Sequence, residues 1–224
     1  MHEIKFTANS DVLNLGVKIV TALVMNIKNE DLNPAFEKYK KTELEVLKEK
    51  FANKKYKDDP VLEGFRELHT KVGRSNRDYV SSPESLRWLF IERDRFPHIN
   101  TLVDIYNLIS LKTGLALGAH DINGIKGNIT LKITNGLESF IPLGKKEKNE
   151  IFPGEYCYID DDNNVICRME VLQVEPTKVT TETKNIFLIV QGNQNTEQSY
   201  VNETAQILCN TIVKYCGGSY KLII

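Results

Sequence analysis

The four residues Gly118-Ala119-His120-Asp121 are the best equipped for chemistry in this sequence. An imidazole titrates near neutral pH, and a glycine-flanked bend lets backbone approach a ligand. Asp121 could orient that imidazole or bind an amine. The plainer account is a turn aspartate that hydrogen-bonds its own backbone beside a histidine without a role. On these four residues alone the plainer account is the stronger. A second candidate is cationic. Arg66, Lys71, Arg74, Arg77, Arg87, Arg93 and Arg95 fall in one stretch, with Tyr79, Trp88 and Phe96 interleaved. Arginine on phosphate and aromatic rings on bases are the means by which single-stranded RNA is held, so Arg74, Arg77 and Arg87 are the expected RNA contacts. Glu67, Asp78, Glu84, Glu92 and Asp94 dilute that charge, and an ordinary solvated surface is an equal account. Asp160-Asp161-Asp162 lacks the later bidentate glutamate of a calcium loop and reads as a hairpin tip.

Several chemistries are excluded. The sequence contains no G-x-S-x-G, G-x-x-x-x-G-K-[ST], G-x-G-x-x-G or H-E-x-x-H pattern, which argues against a dinucleotide- or nucleoside-triphosphate-dependent enzyme. Cys157, Cys167, Cys209 and Cys216 have no C-x-x-C spacing and no neighbouring histidine cluster. No metal and no cofactor are expected, and the thiols read as reduced and mostly buried. The 224 residues carry 29 Lys and Arg against 30 Asp and Glu, a formal charge of −1. That balance excludes a uniformly basic nucleic-acid binder but leaves room for a local basic face. No apolar run approaches the roughly 20 residues of a membrane span. Met1-His2-Glu3-Ile4-Lys5-Phe6 is not a secretory signal, so a cytoplasmic protein is expected.

The elements that must position these groups follow from local patterns. Ile4, Phe6 and Ala8 alternate with polar residues as in a half-buried strand. Residues 15–24 are β-branched and apolar, favouring a buried strand, with a helix still open. Residues 34–51 repeat apolar side chains at three- and four-residue steps, a helix. Asp59-Pro60 and Ser82-Pro83-Glu84 are helix starts, and Gly73 is a stop. Asn100 or Thr101 caps a helix over 102–112 that Gly114 ends. Beyond it, strands are expected at 129–133, 156–159, 165–174 and 186–190, with 160–164 a hairpin turn. A helix over 196–215 precedes Gly217-Gly218 and an edge strand at 220–224. The sum is an α+β chain with a mixed or antiparallel β-rich core and flanking helices. It reads as one domain over residues 1–224, with a strand-helix part to residue 95 and a β-rich, motif-bearing part from 96.

The string Phe96-Pro97-His98-Ile99-Asn100-Thr101-Leu102-Val103-Asp104-Ile105-Tyr106-Asn107, continued by Gly118-Ala119-His120-Asp121 and Ile125-Lys126-Gly127, resembles the B3/B4 editing domain of the phenylalanyl-tRNA synthetase beta subunit. It is similar above all to free-standing proteins made only of that domain. Those share Ser82-Pro83-Glu84-Ser85-Leu86, Pro153-Gly154-Glu155 and Thr177-Lys178-Val179-Thr180, so the resemblance covers nearly the whole chain.

In the synthetase, that domain hydrolyses tyrosine wrongly esterified to phenylalanine tRNA. The resemblance implies a cleft for an aminoacyl end, tRNA as partner, and a possible aminoacyl-ester hydrolase acting in trans. Asn107 matches a position lining the editing pocket, and Tyr106 replaces a threonine there. The editing histidine's own position is Gly118, with His120 two residues on, and the position of the family's late-strand glutamate falls near Ile189. Tyrosine specificity is therefore not carried over, because an apolar pocket barely separates the two amino acids. The resemblance gives His120 and Asn107 as the groups that position the attacking water, and Asn100, Tyr106, Gly118, Ala119 and Asp121 as substrate contacts. Asp104 fits a structural role in a helix first turn better than a substrate role. Two other readings stay open: a non-catalytic module for RNA or an amino-acid-like ligand, and an enzyme acting on another small carbonyl compound.

Overall fold

Side-chain caps set the starts of three helices. In the computed structural model, which describes residues 4–52 and 54–223, the Asn33 side chain accepts the amides of Ala35 and Phe36 and starts α2 (Pro34–Phe51). Asp59 accepts the Val61 amide and starts α3 (Pro60–Lys71). Pro83 lies in the first turn of α4 (Ser82–Arg93). Asn100 accepts the Val103 amide at 3.0 Å and starts α5 (Thr101–Thr113), which Gly114 ends at φ 76°. Only glycine takes that left-handed conformation without strain. A short α1 (Ser10–Leu13) was not expected, and α6 (Gln198–Cys216) closes the chain's helices. Residues 1–3 of the N-terminal stretch and Ile224 of the expected edge strand lie outside the described residues.

The nine strands among the described residues form two sheets, which makes the architecture α+β. Sheet A joins β1 (Phe6–Ala8), β4 (Ile129–Ile133), β5 (Tyr156–Asp160), β6 (Val165–Arg168) and β7 (Leu172–Gln173), in that order, with only β1 and β4 parallel. Sheet B is antiparallel, in the order β3 (Ala116–Asp121), β8 (Ile186–Gly192), β2 (Lys18–Met25) and β9 (Ser219–Ile223). Residues 15–24 are thus a strand, and the C-terminal strand is an edge.

Sheet B is the middle layer. Successive side chains of a strand point to opposite faces. Ile186, Leu188 and Val190 of β8, with Leu117 and Ala119 of β3, pack against α2, α5 and α6. Phe187 and Ile189, with Ala116, pack against Tyr156 and Tyr158 of sheet A and Phe65 and Leu68 of α3. All of β8 is buried in consequence. A smaller apolar group, including Phe140, Ile151 and Cys157, covers the far face of sheet A.

Two expectations are corrected. Residues 118–121 are not a bend but the end of β3, because each pairs in register with β8, from Gly118 opposite Ile189 to Asp121 opposite Ile186. That partner lies far along the chain, beyond what local composition can reveal. The expected strand over 165–174 is two strands. Met169 adopts φ 50°, and the chain reverses so that Leu172 pairs back onto Arg168.

Candidate functional site

The register of β3 decides what faces the space between the sheets. Ala116, Gly118 and His120 share one face, opposite Gln191, Ile189 and Phe187 respectively. Above them α5 presents Val103, Tyr106 and Asn107. From sheet A come Tyr158, Cys167 and the turn from Met169 to Gln173. Together these enclose a cavity of ≈ 180 Å³. Gly118 keeps it open: a Cβ there would lie 2.9 Å from the Gln173 amide nitrogen.

A carboxylate, Glu170, is buried in the turn after β6. One carboxylate oxygen faces His69 Nε2, and the other accepts the Tyr156 hydroxyl at 2.7 Å and the Gln191 amide at 2.9 Å. Gln191 in turn accepts the Tyr158 hydroxyl at 2.6 Å. The Glu170 carbonyl takes the Ser82 amide, fixing the turn to the start of α4. His69 Nδ1 lies 2.9 Å from the Tyr79 carbonyl oxygen and must donate to it. Both ring nitrogens therefore face acceptors. Burial lowers the His69 pKa, but the bond and charge of Glu170 more than reverse this, leaving it above the ordinary 6.5. With acceptors at both nitrogens and its pKa raised, the ring favours the imidazolium form beside Glu170.

His120 is the opposite case. Its Nδ1 meets the Thr177 hydroxyl at 2.8 Å, while Nε2 is buried with no protein partner. Burial pushes its pKa down to about 4, so the ring is neutral at pH 7. Cys167, also on the cavity wall, donates to the Met169 carbonyl, and burial with the nearby Glu170 pushes its thiol up to about 12. It is a poor nucleophile, since the thiolate is the reactive form.

Four of the expected site residues meet in this cavity: Tyr106, Asn107, Gly118 and His120. Asn100 is occupied as the α5 cap. Ala119 faces the helices, fully buried. Asp121 accepts the Asn123 amide at 2.9 Å and the Thr183 hydroxyl at 2.7 Å, a turn-forming role. The arginines part company. Arg87 is 3% exposed, so the expectation of a phosphate-facing side chain is corrected. It donates to the Leu111 carbonyl at 2.7 Å and to Asp59 at 2.9 Å and lies over the Phe51 ring. Arg74 is spent on Glu155, which also holds Arg168. Arg77 is exposed.

Asp104, in the first turn of α5, is fully buried and fully engaged. Lys40 of α2 donates to it at 2.7 Å, His98 Nδ1 lies at 2.8 Å and the Ile99 amide at 3.0 Å. Glu37, His98 and Asp104 are close enough to share a cation. Lys40, however, already pairs with both Asp104 and Glu37, so the cluster is a structural tie.

Glu170, Gln191 and Gln173 are the residues the sequence reading missed. One signal pointed to the first: a lone carboxylate inside the apolar run 165–174 must find a partner when buried. The position expected for the family's glutamate, Ile189, does line the cavity, as an apolar wall.

A cleft between two sheets, roofed by a helix and floored by a paired carboxylate, defines an α+β domain with a small, largely apolar cavity. Residues 65–217 match the B3/4 domain, and the chain belongs to that family. The phenylalanine–tRNA ligase beta subunit of Mycoplasma pneumoniae is 34% identical over 129 residues, 58% of this chain and 15% of that subunit. The Methanococcus vannielii subunit is 30% identical over 128 residues, 48% of this chain and 23% of that subunit. The chain thus spans less than a quarter of the length of these curated relatives. An N-terminal fragment of the phenylalanyl-tRNA synthetase beta subunit from Pyrococcus horikoshii shares the fold, with a TM-score of 0.52 at 18% identity over 98% of this chain and 52% of that one. Among the described residues, no helix is long and apolar enough to cross a membrane.

Proposed function

We propose that this chain binds the aminoacylated end of a tRNA in the cavity and hydrolyses a wrongly attached amino acid in trans. One observation carries the reading. Tyr106 and Asn107 of α5 share a ≈ 180 Å³ cavity with Gly118 and His120 of β3, the two segments through which the sequence resembles an editing domain. Relatives named as phenylalanine–tRNA ligase subunits support tRNA as the partner and the cytoplasm as the place of action.

In the reaction a water oxygen adds to the ester carbonyl carbon. The bond from that carbon to the ribose oxygen then breaks, and the water's proton ends on the leaving ribose oxygen. With a pKa of about 4, His120 is too weak a base to take that proton at pH 7. Its unpartnered Nε2 and the Asn107 amide instead position the water against the ester. The neighbouring ribose hydroxyl assists the proton transfer. Glu170 keeps acceptor capacity beyond its three bonds for a donor on the bound amino acid.

The test is deacylation of a broad panel of mischarged tRNAs by the wild type, His120→Ala and Asn107→Ala. At least one tRNA should be cleared, with a loss of about 10²-fold in each variant. Clearance no faster than in buffer for every member of the panel would end this reading. A second reading, binding without turnover, is favoured by one observation: neither His120, near 4, nor Cys167, near 12, titrates close to neutrality in the cavity. It predicts a ligand-induced rise in Tm with no hydrolysis.

A further inference from the structure

A second concavity, ≈ 580 Å³, opens where the C-terminal end of α2 meets the segment before α3, the end of α5 and the start of α6. Its walls carry Lys50, Lys54, Lys55, Arg87 and Lys112 against Asp58 and Asp59, five cations less two anions, or +3. The whole chain carries −1, so this concentration of positive charge is local. Arg87 is paired with Asp59 and Lys112 with Glu43. Among the described residues no carboxylate lies within ion-pair distance of Lys50, Lys54 or Lys55. Burial first, and then Arg87 and Lys54, lower the Lys50 pKa, with Asp59 opposing them.

Aromatic rings accompany the charge. Tyr56 and Tyr200 stand in the groove wall, and Trp88, 40% exposed, borders the adjoining depression with Lys57, Asp58 and Glu92. Lys57 lies over one face of Tyr56 and Arg93 over one face of Trp88, leaving the other faces for bases. At ≈ 580 Å³ with three lysines free of carboxylate partners, the groove has room and charge for more than one phosphate. Lysines on phosphates beside exposed rings are the arrangement that holds single strands.

We propose that this groove binds an RNA strand, with Lys50, Lys54 and Lys55 on successive phosphates and Tyr56 and Trp88 available to bases. The groove is separate from the cavity, but α5 serves both. Asn107 lies in the cavity wall and Lys112 in the groove, five residues apart, or about 7.5 Å along the helix axis. The proposal requires no turnover, and its readout is binding alone.

The experiment is fluorescence polarisation of labelled, unacylated tRNA with the full chain between 50 and 200 mM KCl. It compares the wild type with Lys54→Glu/Lys55→Glu and with Lys145→Glu/Lys146→Glu, an equal charge change on another exposed loop. Circular dichroism confirms that both variants fold. Wild-type affinity should fall with salt by a log–log slope of about −0.8 per phosphate engaged. The groove variant should bind at least about 10-fold more weakly, with a slope shallower by about 2, and the loop variant should bind as the wild type does. Salt-independent or absent wild-type binding, equal losses in both variants, or displacement of the tRNA by polyglutamate at equal charge would each overturn the proposal.

Discussion

His69 and Glu170 lie 101 residues apart in the chain and meet as a buried ion pair beneath the cavity. Neither α3 nor the turn after β6 could hold its charged side chain in that interior alone, because an isolated buried charge is far costlier than a matched pair. Their meeting also locks the orientation of Glu170, whose side chain stands in the cavity wall.

Glu170→Gln should therefore destabilise the protein by roughly 3 kcal/mol at acid pH. His69 has a raised pKa in the folded state, so its contribution is fully present below 6.5 and fades as pH rises through the folded value. The gap between wild type and variant in urea unfolding should be widest below pH 6.5 and narrow toward alkaline pH. A gap that widens with pH would contradict the ion pair.

The histidines should separate in an NMR titration. His98, half exposed and bonded to Asp104, has its pKa raised by that bond and should titrate above 6.5. His120, held near 4 by burial, should show no chemical-shift step between pH 8 and 5. Its depressed value means that it contributes stability above 6.5 and withdraws it as pH falls toward 4. A His120 step near neutrality would show the ring to be solvated.

Gly118→Val tests the cavity without testing the fold. The backbone there is ordinary strand, and the close neighbour of an added Cβ is the end of the flexible Gln173 side chain. Valine suits a strand, so unfolding free energy should change by less than about 1 kcal/mol, while ligand binding and any deacylation should be lost. Retained binding in a stable variant would remove the cavity from consideration.

Lys40→Met should cost roughly 3–5 kcal/mol by leaving Asp104 buried without its lysine, with only the half-exposed His98 ring and the Ile99 amide still bonded to it. Adding Asp104→Leu should restore part of that loss, because two apolar residues strand no charge. Denaturant midpoints of the two variants decide it, and an additive double variant would refute the coupling.

The helices were legible because their signals are local. Asn33, Asp59 and Asn100 cap within two or three residues, and Gly114 stops α5 through its own φ. β3 was not legible, because Gly118 and His120 become strand residues only by pairing with Ile189 and Phe187. For the same reason Arg87 passed for surface: nothing near it in sequence announces Leu111 or Asp59 as its partners. Asn107 and Gly118 were reached through the family's motif order, whereas Glu170 becomes visible only with His69 beside it.

The helix that roofs the cavity is moored at both ends. Lys40 and His98 grip Asp104 at its beginning, and Arg87 holds the Leu111 carbonyl near its end while reaching to Asp59. A beam bolted at either end cannot swing as a door. Whatever gives way to admit a bulkier guest must do so on the facing side, where the hairpin through Met169 rests on short two-residue β7. Under the proposed function, the breadth of amino acids cleared would then follow that hairpin's compliance, while the roof stays fixed.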